Sequence, residues 1–536
     1  MLGLPLGLLA GAPACTGGEN KQLPPSVLLV TFDTTRADVL GCYGGKPDTS
    51  PQLDAFAREA VRFERAWTVA PLTLPAHASM LTGLVPSRHG VRDNGRNPLP
   101  PQAITVAEIA AAGGVQTVAV LSSAVLNQGF GLAQGFETYL APGDVGGGVD
   151  THFPAQSAGK TLQQVEDWLS SSDPEKGIFM WVHLWEPHAP YQPPAEFQRS
   201  NPYLGEVAAA DRAFGILLDL FEQYGRTDST TVIMTADHGE AFGEHGERTH
   251  GALCFNTTMQ VPLLVRAPGQ SPTVDRRIAS VVDVAPTILA ALGLETPEAV
   301  DGSDLLAADP DKGAYLESMQ GWYAYGWSPV RGWVNEDGKY WRGGKERLFD
   351  LADAKQEQTD LEPWRQALIE LDKKPTLTAT GSVDSTLQAQ VEALGYAVVA
   401  GEAEQIDYAP GQMLDPADRG AEMALINRIT SLGNKGNYEE TIKACRELLG
   451  DNGNNIWAQD MLGACLLATN LPQQAIAPLH LVVQRNRASA RTYANLAIAL
   501  HQLGRDQEAI PNIRASLRLN PDKQVMLQLA KELGIK

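Results

Sequence analysis

Basic residues are scarce in this chain. Its 42 Lys and Arg stand against 63 Asp and Glu, a net charge of −21. No basic surplus is available to meet a run of phosphates, which argues against nucleic acid as a partner. A single anionic ester is still admissible, but a local positive centre must hold it, and a metal ion can be that centre. Cysteine is scarce too. Cys15, Cys42, Cys254, Cys445 and Cys465 form no Cys-x-x-Cys pair and no zinc-finger spacing, so neither a disulfide scaffold nor a structural zinc is expected. Cys445 and Cys465 lie in helical apolar patterns and read as small core residues. Long hydrophobic runs are missing as well. The apolar stretch 2–14 is too short to span a bilayer. It resembles the apolar region of a bacterial export signal, with Cys15 at a lipoprotein-type cleavage site. No Lys or Arg precedes it and Pro13 is unusual there, so a plain N-terminal tail is the other reading. The expectation is export to the periplasm or, as a bacterial lipoprotein anchored at Cys15, to the outer membrane or cell surface.

What is present is a 536-residue chain with 43% apolar and 20% charged residues, long enough for two or three domains. Residues 26 to about 300 alternate apolar strands with amphipathic helices. Strands are expected at 27–32, 116–121, 177–183, 230–236 and 261–265. Helices are expected at 51–59, 75–82, 106–112, 161–169, 205–224 and 285–292. That alternation predicts an α/β fold, a doubly wound, mostly parallel sheet with helices on both faces. Residues 314–372 are richer in Trp, Tyr and Gly, and Asp337-Gly338 separates two aromatic runs, the signature of a hairpin in a small antiparallel subdomain. Residues 373–417 read as a connector with one helix near 385–394.

The last segment, 418–536, repeats itself. Leu462 and Leu496 are 34 residues apart, as are Ala475 and Ala509, and Asn520-Pro521 closes the last full unit. A 34-residue helix-pair period resembles the tetratricopeptide repeat, whose stacked units usually bind a peptide on their concave face. A capping or dimerisation module without ligand is the alternative. The expected division is therefore 1–25 export signal and linker, 26–313 catalytic α/β domain, 314–372 antiparallel subdomain, 373–417 connector and 418–536 repeat module.

Two apolar runs end abruptly in acids, at Asp33 and at Asp237-His238. Buried parallel strands have this character, and open α/β sheets bind ligands at the carboxyl ends of their strands. Thr73 precedes Leu74-Pro75 and an apolar-periodic helix. Threonine is a good N-cap, and the first helical turn offers free N–H groups and a dipole to an anion. Asp33, Asp237, His238 and Thr73 together offer three hard oxygens and one nitrogen. That set suits zinc or manganese better than calcium or magnesium, which stay as alternatives. Each feature alone has a plainer reading as an ordinary cap or turn.

The segments Asp33-Thr-Thr-Arg36, Thr73-Leu-Pro-Ala-His77, Glu186-Pro-His188, Thr235-Ala-Asp-His238 and His250-Gly251 stand in that order, with Leu348-Phe-Asp-Leu351 near the end. The chain resembles the sulfatase-like branch of the alkaline phosphatase superfamily over roughly residues 27–361. The resemblance implies an alkaline phosphatase-like fold, a nucleophile at Thr73, and one divalent ion on Asp33, Thr73, Asp237 and His238. It implies that His250 stands where sulfatases keep a substrate-binding Lys. His188, His250 and His77 are candidates for proton transfer or anion binding. Arg36, His183 and Asn94 are candidates for contact with the substrate. The chain departs from true sulfatases at Thr73, which cannot become formylglycine, at Asp33-Thr34 in place of an Asp-Asp pair, and at Ser122-Ser-Ala-Val125. Threonine-nucleophile relatives act on phosphodiesters, phosphonates and phosphoethanolamine. The expected function is a metal-dependent hydrolase or transferase of a phosphate, phosphonate or sulfate ester through covalent Thr73. The alternatives are a sulfuric ester hydrolase working without formylglycine, and a non-catalytic scaffold with a relict enzyme fold.

Overall fold

The structure is a computed structural model that describes residues 23–142, 155–307, 313–356, 360–378, 383, 387 and 413–535. The leader, Cys15 and nearly all of the expected connector helix lie outside the described residues.

Eight strands form one sheet: β1 (Ser26–Phe32), β2 (Val61–Trp67), β3 (Gln116–Leu121), β4 (Thr138–Leu140), β5 (Ile178–Leu184), β6 (Thr230–Ala236), β7 (Leu263–Arg266) and β8 (Thr273–Ser280), in the order β4-β3-β5-β1-β6-β7-β2-β8. Every pairing is parallel except those of β7 with β6 and with β2. β1, β5 and β6 are buried along their whole length, because helices cover both faces. Leu28, Val30 and Phe32 point to one side and pack with Leu53, Val165, Val207 and Phe214. Val27 and Leu29 point to the other and pack with Leu74, Met80, Val106 and Ile288. Strand periodicity of two thus feeds two separate helical layers. β2, β4 and β8 were not expected from the sequence. β2 alternates polar with apolar residues, and three of the eight residues of β8 are exposed at the sheet edge, so neither shows the continuous apolar run of a central strand.

A second sheet is wholly antiparallel, ordered β13-β12-β11-β10-β9, from β9 (Ala314–Ser318), β10 (Val330–Asn335), β11 (Gly338–Arg342), β12 (Glu346–Phe349) and β13 (Lys355–Gln356). The expected hairpin is β10–β11, with Asn335 paired to Gly338. Gly338 has φ 154°, a conformation that L side chains resist.

The C-terminal region is all helical. Helix pairs Gly420–Asn434 with Tyr438–Asp451, Ile456–Ala468 with Pro472–Gln484, and Ala490–Gln502 with Asp506–Leu519 are closed by Gln524–Glu532. Gly463 lets the second pair approach closely, since a Cβ there would meet Leu479 Cγ at 2.4 Å. This region does not hang free. One apolar cluster runs from Trp67, Phe255, Trp327 and Trp341 to Met423, Ile426, Cys445 and Leu479. Asn452 Nδ2 also donates to Tyr325 O at 2.8 Å and to Glu422 Oε1 at 2.6 Å. No helix among the described residues is long and apolar enough to cross a membrane.

Candidate active site

Asp33 follows β1 and Asp237-His238 follows β6, and β1 and β6 are adjacent parallel strands with Phe32 opposite Ala236. Parallel register therefore delivers both acids to one rim. Ligand atoms of Asp33, Asp237 and His238 all lie within 4.8 Å of one another, and the three residues are buried. Thr73 comes from the other side, at the start of the fully buried helix Thr73–Thr82. Thr73 is the first helical residue, not the N-cap expected from the sequence. Leu72 is the cap residue and has no side-chain bond to give. The Thr73 hydroxyl is thereby spared from capping. Its Oγ1 lies 3.4 Å from His238 Nε2.

The capping task falls to Asn94, whose Oδ1 accepts from Leu74 N–H at 2.8 Å. That bond fixes the orientation of the amide, and the buried Nδ2 is left without a partner.

His238 Nδ1 is 2.9 Å from Gly239 O. A carbonyl only accepts, so Nδ1 carries the hydrogen and Nε2 presents its lone pair. That lone pair faces Thr73 Oγ1, Asp237 Oδ2 at 3.6 Å and Asp33 Oδ1 at 4.0 Å. Those two carboxylate oxygens are buried and have no hydrogen-bond partner. Their sister oxygens are satisfied. Asp237 Oδ1 accepts from Thr34 N at 3.1 Å and His238 N at 2.7 Å, and Asp33 Oδ2 meets His183 Nε2 at 3.3 Å. An unsatisfied buried polar atom costs about 1–3 kcal/mol, and more for a charged group, so native proteins keep few of them. Two aimed at one point, beside a histidine lone pair and a hydroxyl, fit a cation. Ligands on a tetrahedron with bonds of about 2.1 Å stand about 3.4 Å apart, close to the shorter of these separations.

Burial sets the electrostatics. It lifts Asp237 to about 7, helped by the charge of Asp33, and it lifts Asp33 against the pull of His188 and His238. It depresses His238 to about 4, with His250 adding to the effect. Acids that resist ionisation and an imidazole that resists protonation are the charge states a divalent cation reverses or exploits.

The other candidates divide. His188 and His250 line one cavity above the rim, their rings 5.5 Å apart, with the His250 ring 4.3 Å from that of His238. Burial holds both below the ordinary imidazole value, His250 at about 3. His77 lies underneath. Its Nδ1 donates to Thr73 O at 2.8 Å, with Asp237 Oδ2 at 3.9 Å, and its Nε2 meets Thr31 Oγ1 at 3.1 Å, so the ring ties the helix start to β1. His183, expected to touch the substrate, instead sits behind Asp33, fully buried between its Oδ2 and Thr31 Oγ1. Strand pairing of Thr31 with His183 puts it there. Arg36, also expected at the substrate, gives its guanidinium to Asp38 and Glu244, each at 2.7 Å. It ties the loop after β1 to the loop after β6. Arg92, near the rim, is held by Glu317 through bonds of 2.9 and 2.6 Å.

Three residues had no role assigned from sequence. Thr31 Oγ1 collects His77, His183 and Trp181 Nε1. Its signal was a hydroxyl two residues from the end of an apolar strand. Glu240 bridges Tyr191 O–H at 2.8 Å and His250 Nδ1 at 3.1 Å, and it stands in the same Asp-His-Gly-Glu segment as Asp237 and His238. Thr34 adopts φ 46° and turns its N–H onto Asp237.

The sulfatase family model matches residues 25–294, and the chain belongs to the sulfatase family, a family of hydrolases. It is 26% identical over 399 residues to the uncharacterized sulfatase YidJ of Escherichia coli, covering 59% of this chain and 78% of that protein. Among solved structures it is similar to a putative sulfatase from Bacteroides thetaiotaomicron, with a TM-score of 0.52, 18% identity, and coverage of 65% of this chain and 90% of that one. It is also similar to the phosphonate monoester hydrolase SpPMH from Silicibacter pomeroyi, with a TM-score of 0.50, 20% identity, and coverage of 61% and 89%. At those identities the likeness is one of fold, and the fold is common to proteins named for sulfur and for phosphorus chemistry.

Proposed function

We propose that this protein is a metal-dependent hydrolase, or transferase, of a phosphate, phosphonate or sulfate ester, with Thr73 Oγ1 as nucleophile. The single observation behind this reading is the pair of partnerless oxygens, Asp33 Oδ1 and Asp237 Oδ2, that face the Thr73 hydroxyl across the His238 lone pair. Asp33, Asp237, His238 and Thr73 would hold one divalent ion, zinc or manganese by donor type, with calcium or magnesium as alternatives. Bound there, the ion supplies Lewis acidity that lowers the pKa of the threonine hydroxyl.

The chain's own groups do the rest. His77 fixes the Thr73 carbonyl, and the Thr31 and His183 pair braces Asp33 from behind. Asn94 Nδ2, the unspent donor at the helix start, receives a non-bridging oxygen of the anion. Thr73 Oγ1, its proton released to solvent, forms a bond to the central phosphorus or sulfur and the bond to the leaving oxygen breaks. That oxygen takes a proton from His188 or His250, which a bound anion charges by raising their pKa values. Water, or an acceptor alcohol in a transferase, then cleaves the threonine ester and frees Oγ1.

Phosphorus is preferred over sulfur on chemical grounds. A formylglycine hydrate expels sulfate by collapsing to its aldehyde, and Thr73 has no such route. A sulfatase working without formylglycine is the second reading, favoured by family membership and by the names of the curated relatives. The test is a turnover panel of 4-nitrophenyl phosphate, bis(4-nitrophenyl) phosphate, 4-nitrophenyl phenylphosphonate and 4-nitrophenyl sulfate, on metal-stripped and metal-restored protein. Metal-restored turnover of a phosphorus ester is expected. Turnover of the sulfate alone would give the second reading, and neither turnover nor bound metal would leave a scaffold.

The proposal extends to organisation and location. Helices beginning at Ile456, Ala490 and Gln524 keep a 34-residue step, which supports tetratricopeptide-type repeats. The leader supports export, with Cys15 as the site of lipid attachment.

A further inference from the structure

A cavity of about 810 Å³ lies between the two halves of the molecule. One wall carries His188, Glu240 and His250. The opposite wall is made by the helical region, chiefly Asn427, Trp457 and Arg491, with Tyr323 and Tyr325 between the two. Cavities of roughly 300–1,000 Å³ enclose whole organic ligands, so the space extends well beyond what a tetrahedral anion needs. The shared apolar cluster and the Asn452–Tyr325 bond fix the helices in this position.

The wall's charge runs against that of the chain. The protein carries −21 overall, yet the helical side of the cavity presents Lys435, Arg487 and Arg491 against one acid, Asp460. Asp460 is paired with Arg491 at 3.1 Å, so the surplus positive charge of this wall comes from Lys435 and Arg487. Arg487 lies over the Tyr323 ring, 5.2 Å from its centre, which pins the guanidinium to the cavity wall. At the catalytic end, Glu247 Oε1 is taken up by Ala252 N–H, and Glu240 by Tyr191 and His250. A concave cavity lined by apolar and aromatic residues and by these cations suits an anionic organic group.

We propose that the helical region is the leaving-group subsite of the enzyme, selecting esters whose leaving group is extended and bears a second anionic group, held by Lys435, Arg487 and Arg491. This rests on the ester-cleaving reading of the Thr73 site. It makes the repeats part of the substrate cleft and not a separate adaptor for a protein partner.

The test compares 4-(5-carboxypentyl)phenyl phosphate with its methyl ester, and the matching pair of sulfates, on the full-length protein. Wild-type kcat/KM should favour the free carboxylate by about tenfold, a typical effect for one well-placed ion pair. In Lys435→Glu/Arg491→Glu the ratio should fall to about one, and in Arg491→Lys it should persist. An unchanged ratio in the charge-reversed protein, or no preference in wild type, would overturn the proposal. If no ester turns over, calorimetric titration with the product phenol, 6-(4-hydroxyphenyl)hexanoate, still reads the subsite. Binding that is lost in the charge-reversed protein sustains the subsite while the catalytic reading fails, and no binding to wild type sinks the subsite itself. A hexa-aspartate peptide that binds these helices without inhibiting turnover would reassign the face to a protein partner and overturn the proposal.

Discussion

Asn94 and Leu74 are joined by a 2.8 Å bond from the Leu74 amide to Oδ1, and this bond caps the helix that begins with Thr73. The same amide group keeps Nδ2 buried and unpartnered beside the helix start. Two effects can therefore be separated. Asn94→Asp keeps the acceptor and loses the donor, so kcat/KM should fall by about 10²-fold, the usual effect of removing one oxyanion donor, while thermal stability is held. Asn94→Ala should show the same kinetic loss and also lose about 1 kcal/mol of stability with the cap. Paired kinetics and thermal melts check both.

Asp237→Asn retains an oxygen for the Thr34 and His238 amides but replaces the bare Oδ2 by a neutral group. Metal content by mass spectrometry should fall from about one equivalent to near none. In the metal-stripped state the variant should melt higher than wild type, because a buried, strongly disfavoured carboxylate has been removed. A lower melting temperature of the stripped variant would contradict this.

Metal affinity should depend on pH with a definite sign. Asp237 is raised from 3.8 to about 7, so below that value an incoming cation must displace its proton, and Asp33, raised by burial as well, acts in the same direction. His238 is depressed to about 4 and stays neutral above that value, so it adds no dependence between pH 5 and 8. Affinity should thus weaken as pH falls from 7 to 5, by about tenfold per unit for each proton displaced. Competition with a chelator across that range measures it, and a flat profile would refute the assignment.

Asn452 is buried and bonded to Tyr325 O and Glu422 Oε1. Asn452→Ala strands Tyr325 O and leaves Glu422 Oε1 with the Asn455 Nδ2 bond at 2.9 Å, and should cost about 1–3 kcal/mol. Because the second sheet and the helices share one apolar cluster, calorimetry should show them melting together.

The central sheet was legible because strands buried on both faces have to be continuously apolar, as Ser26–Phe32 and Thr230–Ala236 are. Such strands end at the acids, so Asp33, Asp237 and His238 are expected on one rim from the sequence alone. Edge strands escaped notice because exposure dilutes the pattern, as in β8. The side chains of Arg36 and His183 lie away from where their motifs suggested for another reason. Motif order tells which residues approach the site but not the direction of each side chain, and Arg36 meets acids from two loops while His183 is turned beneath Asp33 by strand register. The charged wall of the cavity was not legible at all, since Lys435, Arg487 and Arg491 meet His188 and His250 only through long-range packing.

The nucleophile gives the most direct test. Metal-restored protein is quenched with acid during turnover of the phosphorus ester that reacts fastest, digested, and mapped by mass spectrometry. A phosphoryl or phosphonyl adduct is expected on Thr73, together with a loss of at least about 10³-fold in kcat for Thr73→Ala. An adduct on any other residue, or undiminished turnover by Thr73→Ala, would contradict the mechanism.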